Sequence, residues 1–302
     1  MDSPLAYYTT AAALQADQRD LATTIRQLSN DTIKLDEQFQ AVYSDIKSQE
    51  MFDTSPTAPS NQWAETRKIY TNLMWSARHS ATKLKTHTTA LELLDVVIRA
   101  VADATQAKAA KIDALKNFIE APVPSLLTAE YATEQVGELK KQLGAFNDKY
   151  SAELNEKIAA ARAEITQLEE KDKEQKLKNK NAGGSGGLCG CLRRKPPPAD
   201  SVDYEGQIKK LQTSISNWEK LRGDVEGGVH EISAKLDSIP DRVGNTFLTL
   251  WSHEKGDAEH LKQAVESSST GTVEDISIAE DAYKQVNEAL HYFETNVNQT
   301  GS

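Results

Sequence analysis

Helix breakers are scarce in this chain. Its 302 residues include 9 prolines, and five of its 15 glycines fall between Gly183 and Gly190. Long stretches therefore contain nothing that would interrupt a helix. Aromatic residues make up only 6%; Ala, Glu, Gln, Lys, Leu and Thr dominate, a composition that favours helix over strand. No run of 18 apolar residues occurs, which excludes an ordinary transmembrane helix. The two cysteines, Cys189 and Cys191, are separated by a single glycine and cannot staple distant parts of a fold. That fits a reducing compartment, or release without a leader. The opening MDSPLAYYTTAAALQADQRD has no basic segment ahead of its apolar residues, so no secretory signal is expected. The net charge of −10 argues against nucleic acid as a partner.

Catalytic and metal-binding patterns are also missing. The six histidines form no HExxH motif. His253 and His260 flank Glu254 and Glu259 in WSHEKGDAEH. Seven residues apart, they share a helix face, which suits a metal site but suits a solvated polar face better. His87 falls on an apolar seam and reads as a hydrogen-bonded core histidine rather than a pH sensor. GGSGG lacks the GK[ST] ending of a phosphate loop and follows a helix, not a strand. Cys189 and Cys191 have no further ligands nearby, so zinc is not expected. The chain reads as no enzyme, with no cofactor.

Apolar periodicity is abundant. Leu14, Leu21, Ile25, Leu28, Leu35, Phe39, Val42 and Ile46 recur at steps of three, four or seven, which predicts a first helix over about 10–50. Leu73, Ala77, Leu84, Leu91, Leu94, Ile98, Val101, Ile112 and Leu115 predict a second from Trp63 to about Ile119, ended by Pro122 and Pro124. Leu139, Leu143, Phe146, Tyr150, Leu154, Ile158, Ala161, Ile165 and Leu168 carry a third, reaching about Lys180. Ile208, Leu211, Ile215, Trp218, Leu221, Val225, Val229, Ile232, Leu236 and Ile239 carry a fourth, which Pro240 ends or kinks. Two short pieces, FLTLWSHEKG and DAEHLKQAVES, follow. A last helix starts behind Thr272, with Asp275 in a capping-box-like position, and buries Ala279, Val286, Leu290, Phe293 and Val297. At about 1.5 Å per residue the second and third helices would each be roughly 80 Å long. The expected fold is all-α: one elongated up-and-down bundle of about five long helices over residues 1–302, with coiled-coil-like packing.

Between the third and fourth helices lies GGSGGLCGCLRRK, then three prolines, a flexible tip loop over 181–200. From Lys171 to Lys195 eight basic residues face two acidic ones. That segment is +6, so a total of −10 leaves −16 elsewhere. An anionic lipid surface attracts such a tip by roughly 1 kcal/mol per basic residue, while the acidic remainder is held off. Leu188, Cys189, Cys191 and Leu192, beside Arg193, Arg194 and Lys195, are the expected lipid contacts. The four buriable side chains are too few to insert alone, but acylation of Cys189 and Cys191 with the basic patch would satisfy the two-signal rule for stable anchoring. A plain connector and an engineered spacer are the other readings of GGSGG.

The layout resembles the helical pore-forming toxins of the cytolysin A and haemolysin BL type. The residues behind the resemblance are IKKLQTSISNWEKLRGDVEGGVHEI, with Trp218 at its centre, and AEDAYKQVNEAL, with Ala279, Tyr283 and Val286 at the A-x-x-x-[aromatic]-x-x-V positions. It implies a soluble bundle that meets a membrane, refolds its head and assembles into an oligomeric pore, often with companion subunits. Where that family has an apolar head hairpin, this chain has GGSGGLCGCLRRKPPP. The expectation is therefore a membrane-directed component that needs a partner subunit, homo-oligomerisation or lipidation, soluble in the cytoplasm or released, and peripheral at the membrane. Trp218 itself reads as a packing residue. The alternative is an intracellular coiled-coil-like scaffold or tether without lytic activity.

Overall fold

A computed structural model describes residues 5–49, 57–102, 107–122, 128–182, 202–267 and 273–297. They form seven helices and, among the described residues, no strand: α1 (Leu5–Gln49), α2 (Pro59–Ala102), α3 (Lys108–Glu120), α4 (Ala129–Ala182), α5 (Tyr204–Leu236), α6 (Ile239–Glu266) and α7 (Val273–Asn296). The fold is an all-α bundle, as the periodicity predicts. None of the described helices is long and apolar enough to cross a membrane.

Side-chain contacts fix the direction of each helix. Trp63 meets Phe39 and Tyr70 reaches Thr32, so α1 and α2 are antiparallel. Arg26 faces Glu288 and Asn30 bonds Tyr292, so α7 runs parallel to α1. The pairs Lys108–Glu266, Ala121–Lys255, Ala129–Gly244, Lys140–Asp237, Asn155–Arg222, Arg162–Glu219 and Lys176–Glu205 are then in one continuous antiparallel register. Thus α3 and α4 form one rising pass, and α5 and α6 one descending pass. Seven helices make five passes.

This register corrects the expected second helix. The chain reverses between Ala102 and Lys108, not at Pro122, so α3 belongs to the third pass. The stretch ADATQA contains no proline or glycine. The reversal follows instead from docking: Leu115 of α3 packs with Ala258 of α6 and Tyr283 of α7, and Phe118 lies against Trp251. Tertiary burial outweighs helix propensity here. The two short pieces expected after Pro240 are likewise one 28-residue helix, α6.

The α5–α6 junction is a two-residue turn, Asp237–Ser238, across which the chain keeps its direction. Asp237 (φ −60°, ψ −32°) and Ser238 (φ −88°, ψ −12°) keep right-handed helical dihedrals. Pro240 lies in the first turn of α6, where its missing N–H has no intrahelical partner to lose. One turn later Gly244 passes so close to the start of α4 that a Cβ there would fall 2.6 Å from the Ala129 backbone. At the other end, Asp203 caps α5 by accepting from the Gly206 N–H at 2.8 Å.

A shared apolar core runs through α1, α2, α4, α5, α6 and α7. It contains the predicted seam residues Leu21, Ile25, Leu28, Leu35, Phe39, Val42 and Ile46 of α1, and Val286, Leu290, Phe293 and Val297 at the C-terminal end. Leu14, Leu91, Leu94, Ile98, Val101 and Ala279 lie outside the described side chains, as does the Thr272 cap. Trp218 is half-buried and packs between this core and a smaller α4/α5 cluster.

Candidate functional site: a two-helix arm and a buried acid

The body of the bundle ends where α1 turns into α2. Its upper layer is an aromatic group in which Trp63 contacts Phe39 and Phe146 at 5.6 and 5.1 Å, and Phe146 stacks on Tyr150. Past Leu154 the partner of α4 among the described residues is α5. Ile158 and Ala161 of α4 are buried against Ile215, with Ile165, Leu211 and Trp218 at the margin. From Ile158 to Ala182 this two-helix arm is about 40 Å long at 1.5 Å per residue.

Ion pairs follow the arm outward. Arg162 meets Glu219 at 2.7 Å, and Lys176 meets both Asp172 at 2.8 Å and Glu205 at 2.7 Å. Hydrogen bonds that Lys176 donates to these two carboxylates, Asp172 first, hold its ammonium above its ordinary pKa. The helices flanking the basic segment 183–201 are thus neighbours almost to their described ends. Two apolar side chains there stay in water: Leu177 is 60% and Val202 47% exposed. The expected contact residues Leu188, Cys189, Cys191, Leu192, Arg193, Arg194 and Lys195 lie outside the described residues.

The opposite end, the base, contains the other chemical feature. Here α2, α3, α6 and the start of α7 converge. Glu254 of α6 is fully buried, with Thr88 Oγ1 of α2 2.5 Å from its Oε1. Its other oxygen, Oε2, has no partner among the described residues, and neither has the Trp251 indole N–H one turn earlier. Burial raises the Glu254 pKa to about 8; the Thr88 hydrogen bond opposes this and the Asp257 charge adds to it. At neutral pH Glu254 is therefore mostly an uncharged acid. Asp257 accepts from the Tyr283 hydroxyl, which brings the tyrosine of the AEDAYKQV segment into this cluster.

His87 lies edge-on to Trp251 with ring centroids 4.9 Å apart, and burial lowers its pKa. It is half-buried at the edge of the core. Lys255 covers another part of Trp251, 5.1 Å from the ring centre, and donates to the Ala121 carbonyl at 2.9 Å. His253 is half-buried, and the His260 side chain is outside those described. No group of three or more His, Cys, Asp or Glu among the described residues is placed to hold a metal.

The polar face expected around WSHEKGDAEH is corrected at Glu254, which is buried, and nothing in the sequence pattern pointed to Thr88. For Glu254 a signal was present: Val243, Phe247, Leu250, Glu254 and Ala258 form one seam, with a carboxylate at its fourth position. Dividing α6 into two pieces hid that register. No protein-family model and no curated protein matches this chain.

Proposed function

We propose that this protein is a membrane-directed helical bundle of the pore-forming-toxin type, in which the α4/α5 arm presents the basic, cysteine-bearing segment 183–201 to an anionic lipid surface. The observation that carries this reading is the arm itself. Two helices zipped by ion pairs as far as Lys176–Glu205 project past an acidic body and lead into the stretch containing Arg193, Arg194 and Lys195. Lipid attraction acts within roughly a Debye length of the surface, about 8–10 Å at physiological ionic strength. An arm of about 40 Å lets the basic segment enter that layer while the acidic body stays outside it. Exposed Leu177 and Val202 at the arm's end add apolar surface next to the same segment. Acylation of Cys189 and Cys191 would convert reversible contact into stable anchoring, and a companion subunit or further copies of the chain would complete a pore.

Vesicle flotation tests this reading. The full chain should float with vesicles containing phosphatidylserine and stay behind with neutral ones. Replacing Arg193, Arg194 and Lys195 by alanine should reduce the bound fraction at least tenfold, since three basic contacts of about 1 kcal/mol each are lost. Unchanged flotation of the triple variant rejects the tip assignment. No flotation at all, together with oligomers in lipid-free solution, would favour the scaffold instead.

A further inference from the structure

The environment of Glu254 contains a hydrogen-bonding constraint. Thr88 Oγ1 is within bonding distance of two oxygens: Glu254 Oε1 at 2.5 Å and the Leu84 carbonyl at 3.0 Å. A hydroxyl has one proton to donate, and a carbonyl can only accept. Both contacts are full two-centre hydrogen bonds when Thr88 donates to Leu84 and a protonated Glu254 donates to Thr88; with Glu254 ionised, the single Thr88 proton is shared between two acceptors or turned to one of them. A protonated Glu254 therefore satisfies this arrangement better than a carboxylate does.

We propose that Glu254, Thr88 and the Leu84 carbonyl form a proton-dependent latch, closed while Glu254 holds its proton, that fastens the base of α6 and the α3 helix docked on it to α2. The two fastened helices are tied to each other separately. Lys108 Nζ of α3 donates to the Glu266 carbonyl at 2.5 Å, and Lys255 Nζ of α6 donates to the Ala121 carbonyl. Leu115 and Phe118 fill the space between α3 and its neighbours. The pair can therefore part from α2 as a unit.

Among the described residues, the surrounding charges do not compensate an ionised Glu254. On α6, Asp257 carries the same sign, and Lys255 is engaged with Trp251 and Ala121. On α2 the neighbouring titratable group among the described side chains is His87, held toward its neutral form. On α3, Leu115 and Phe118 are apolar, and Lys111, a turn before Leu115, is buried but is not among the groups that shift Glu254. Tyr283 of α7 is committed to Asp257. The register of the Arg242–Asp31 pair brings Asp20 of α1 to this level, and it is exposed. Once ionised, Glu254 would draw the Thr88 proton away from Leu84, leave Oε2 without a donor and face Asp257. Water satisfies the carboxylate better, and reaching water requires opening the latch.

Hydrogen exchange of the full chain, read by mass spectrometry and corrected for intrinsic exchange, tests the latch. One proton is lost on opening. The opening equilibrium over α3 and Leu250–Glu266 should therefore rise by nearly tenfold per pH unit between about pH 6 and pH 8, then level off. Peptides over Ile25–Ile46 should not follow. Glu254→Gln keeps the shape and a donor for Thr88 but cannot ionise, so its profile over the same peptides should be flat. Any influence of His87 is common to both proteins and cancels in their difference. A second measurement needs no variant: with carboxyl-labelled glutamate, one carbon resonance of the wild type should remain that of the neutral acid at about pH 6 and titrate near pH 8. Equal pH dependence in wild type and Glu254→Gln, pH-independent opening in the wild type, or glutamates that all titrate in the ordinary range would each overturn the proposal.

Discussion

Trp63 and Trp251 are both buried in the bundle, yet their surroundings differ. Trp63 donates its indole N–H to the Phe39 carbonyl at 2.9 Å. Several of its neighbours are bonded too, although Gln38 Oε1 and Asn147 Oδ1 beside this layer are buried without a partner among the described residues. Tyr70 stacks on Phe39 and donates to the Thr32 carbonyl at 2.7 Å, while Arg67 grips Asp36 through three hydrogen bonds of 2.8–2.9 Å. Trp251 has no acceptor for its N–H among the described residues, and the adjacent acid has one oxygen unpartnered. An unpaired buried polar atom costs on the order of 1–3 kcal/mol. The Trp63 indole, Tyr70 and the Arg67–Asp36 pair are therefore a fixed joint within the upper body. The base retains unmet hydrogen-bonding capacity, and such places open most readily.

Changing pH should widen the contrast most. The native pKa of Glu254 is raised to about 8 from an ordinary 4.5. Between those values the folded state holds a proton that the unfolded state has released, so stability falls as pH rises and then levels above pH 8. Glu254→Gln should match wild type near pH 5 and exceed it by a few kcal/mol near pH 9, read as a shift in urea midpoint. A variant no more stable than wild type at the higher pH would remove the base's special status.

A smaller effect should separate the two indoles. Trp63→Phe loses ring contacts and a satisfied hydrogen bond. Trp251→Phe loses similar contacts but removes an N–H that lacked an acceptor. The first should cost about 1–2 kcal/mol more than the second in parallel urea titrations at neutral pH. Equal costs would mean that Trp251 is as well satisfied as Trp63. The smallest effect belongs to the arm. Arg162→Ala breaks an exposed pair with Glu219 and should change stability by less than about 0.5 kcal/mol; a larger loss would indicate that the arm is held by charge rather than by Ile158, Ala161 and Ile215.

The parts of the fold that were legible in the sequence were those written in side-chain spacing. The seams of α1, α4 and α5 could be read residue by residue because each buries one face over many turns. The reversal before Lys108 could not, because it uses no proline or glycine and depends on what α3 meets once it has turned. At the base, Glu254 occupies an apolar seam position, but its charge state depends on Thr88 from α2 and Asp257 one turn away, a combination that emerges only in three dimensions. The arm was legible as two long stripes, and its freedom from the other helices became visible only when α1 and α2 were seen to stop short of it.

The turn at Asp237–Ser238 has a mechanical consequence. The descending pass is a stiff lever from Tyr204 down to Leu236, with a compliant point just below, where Asp237 and Ser238 interrupt the helix. A sideways load applied to the outer end of the arm would be absorbed first at that point. The Lys140–Asp237 ion pair beside it would then report the strain before the aromatic joint above it yielded.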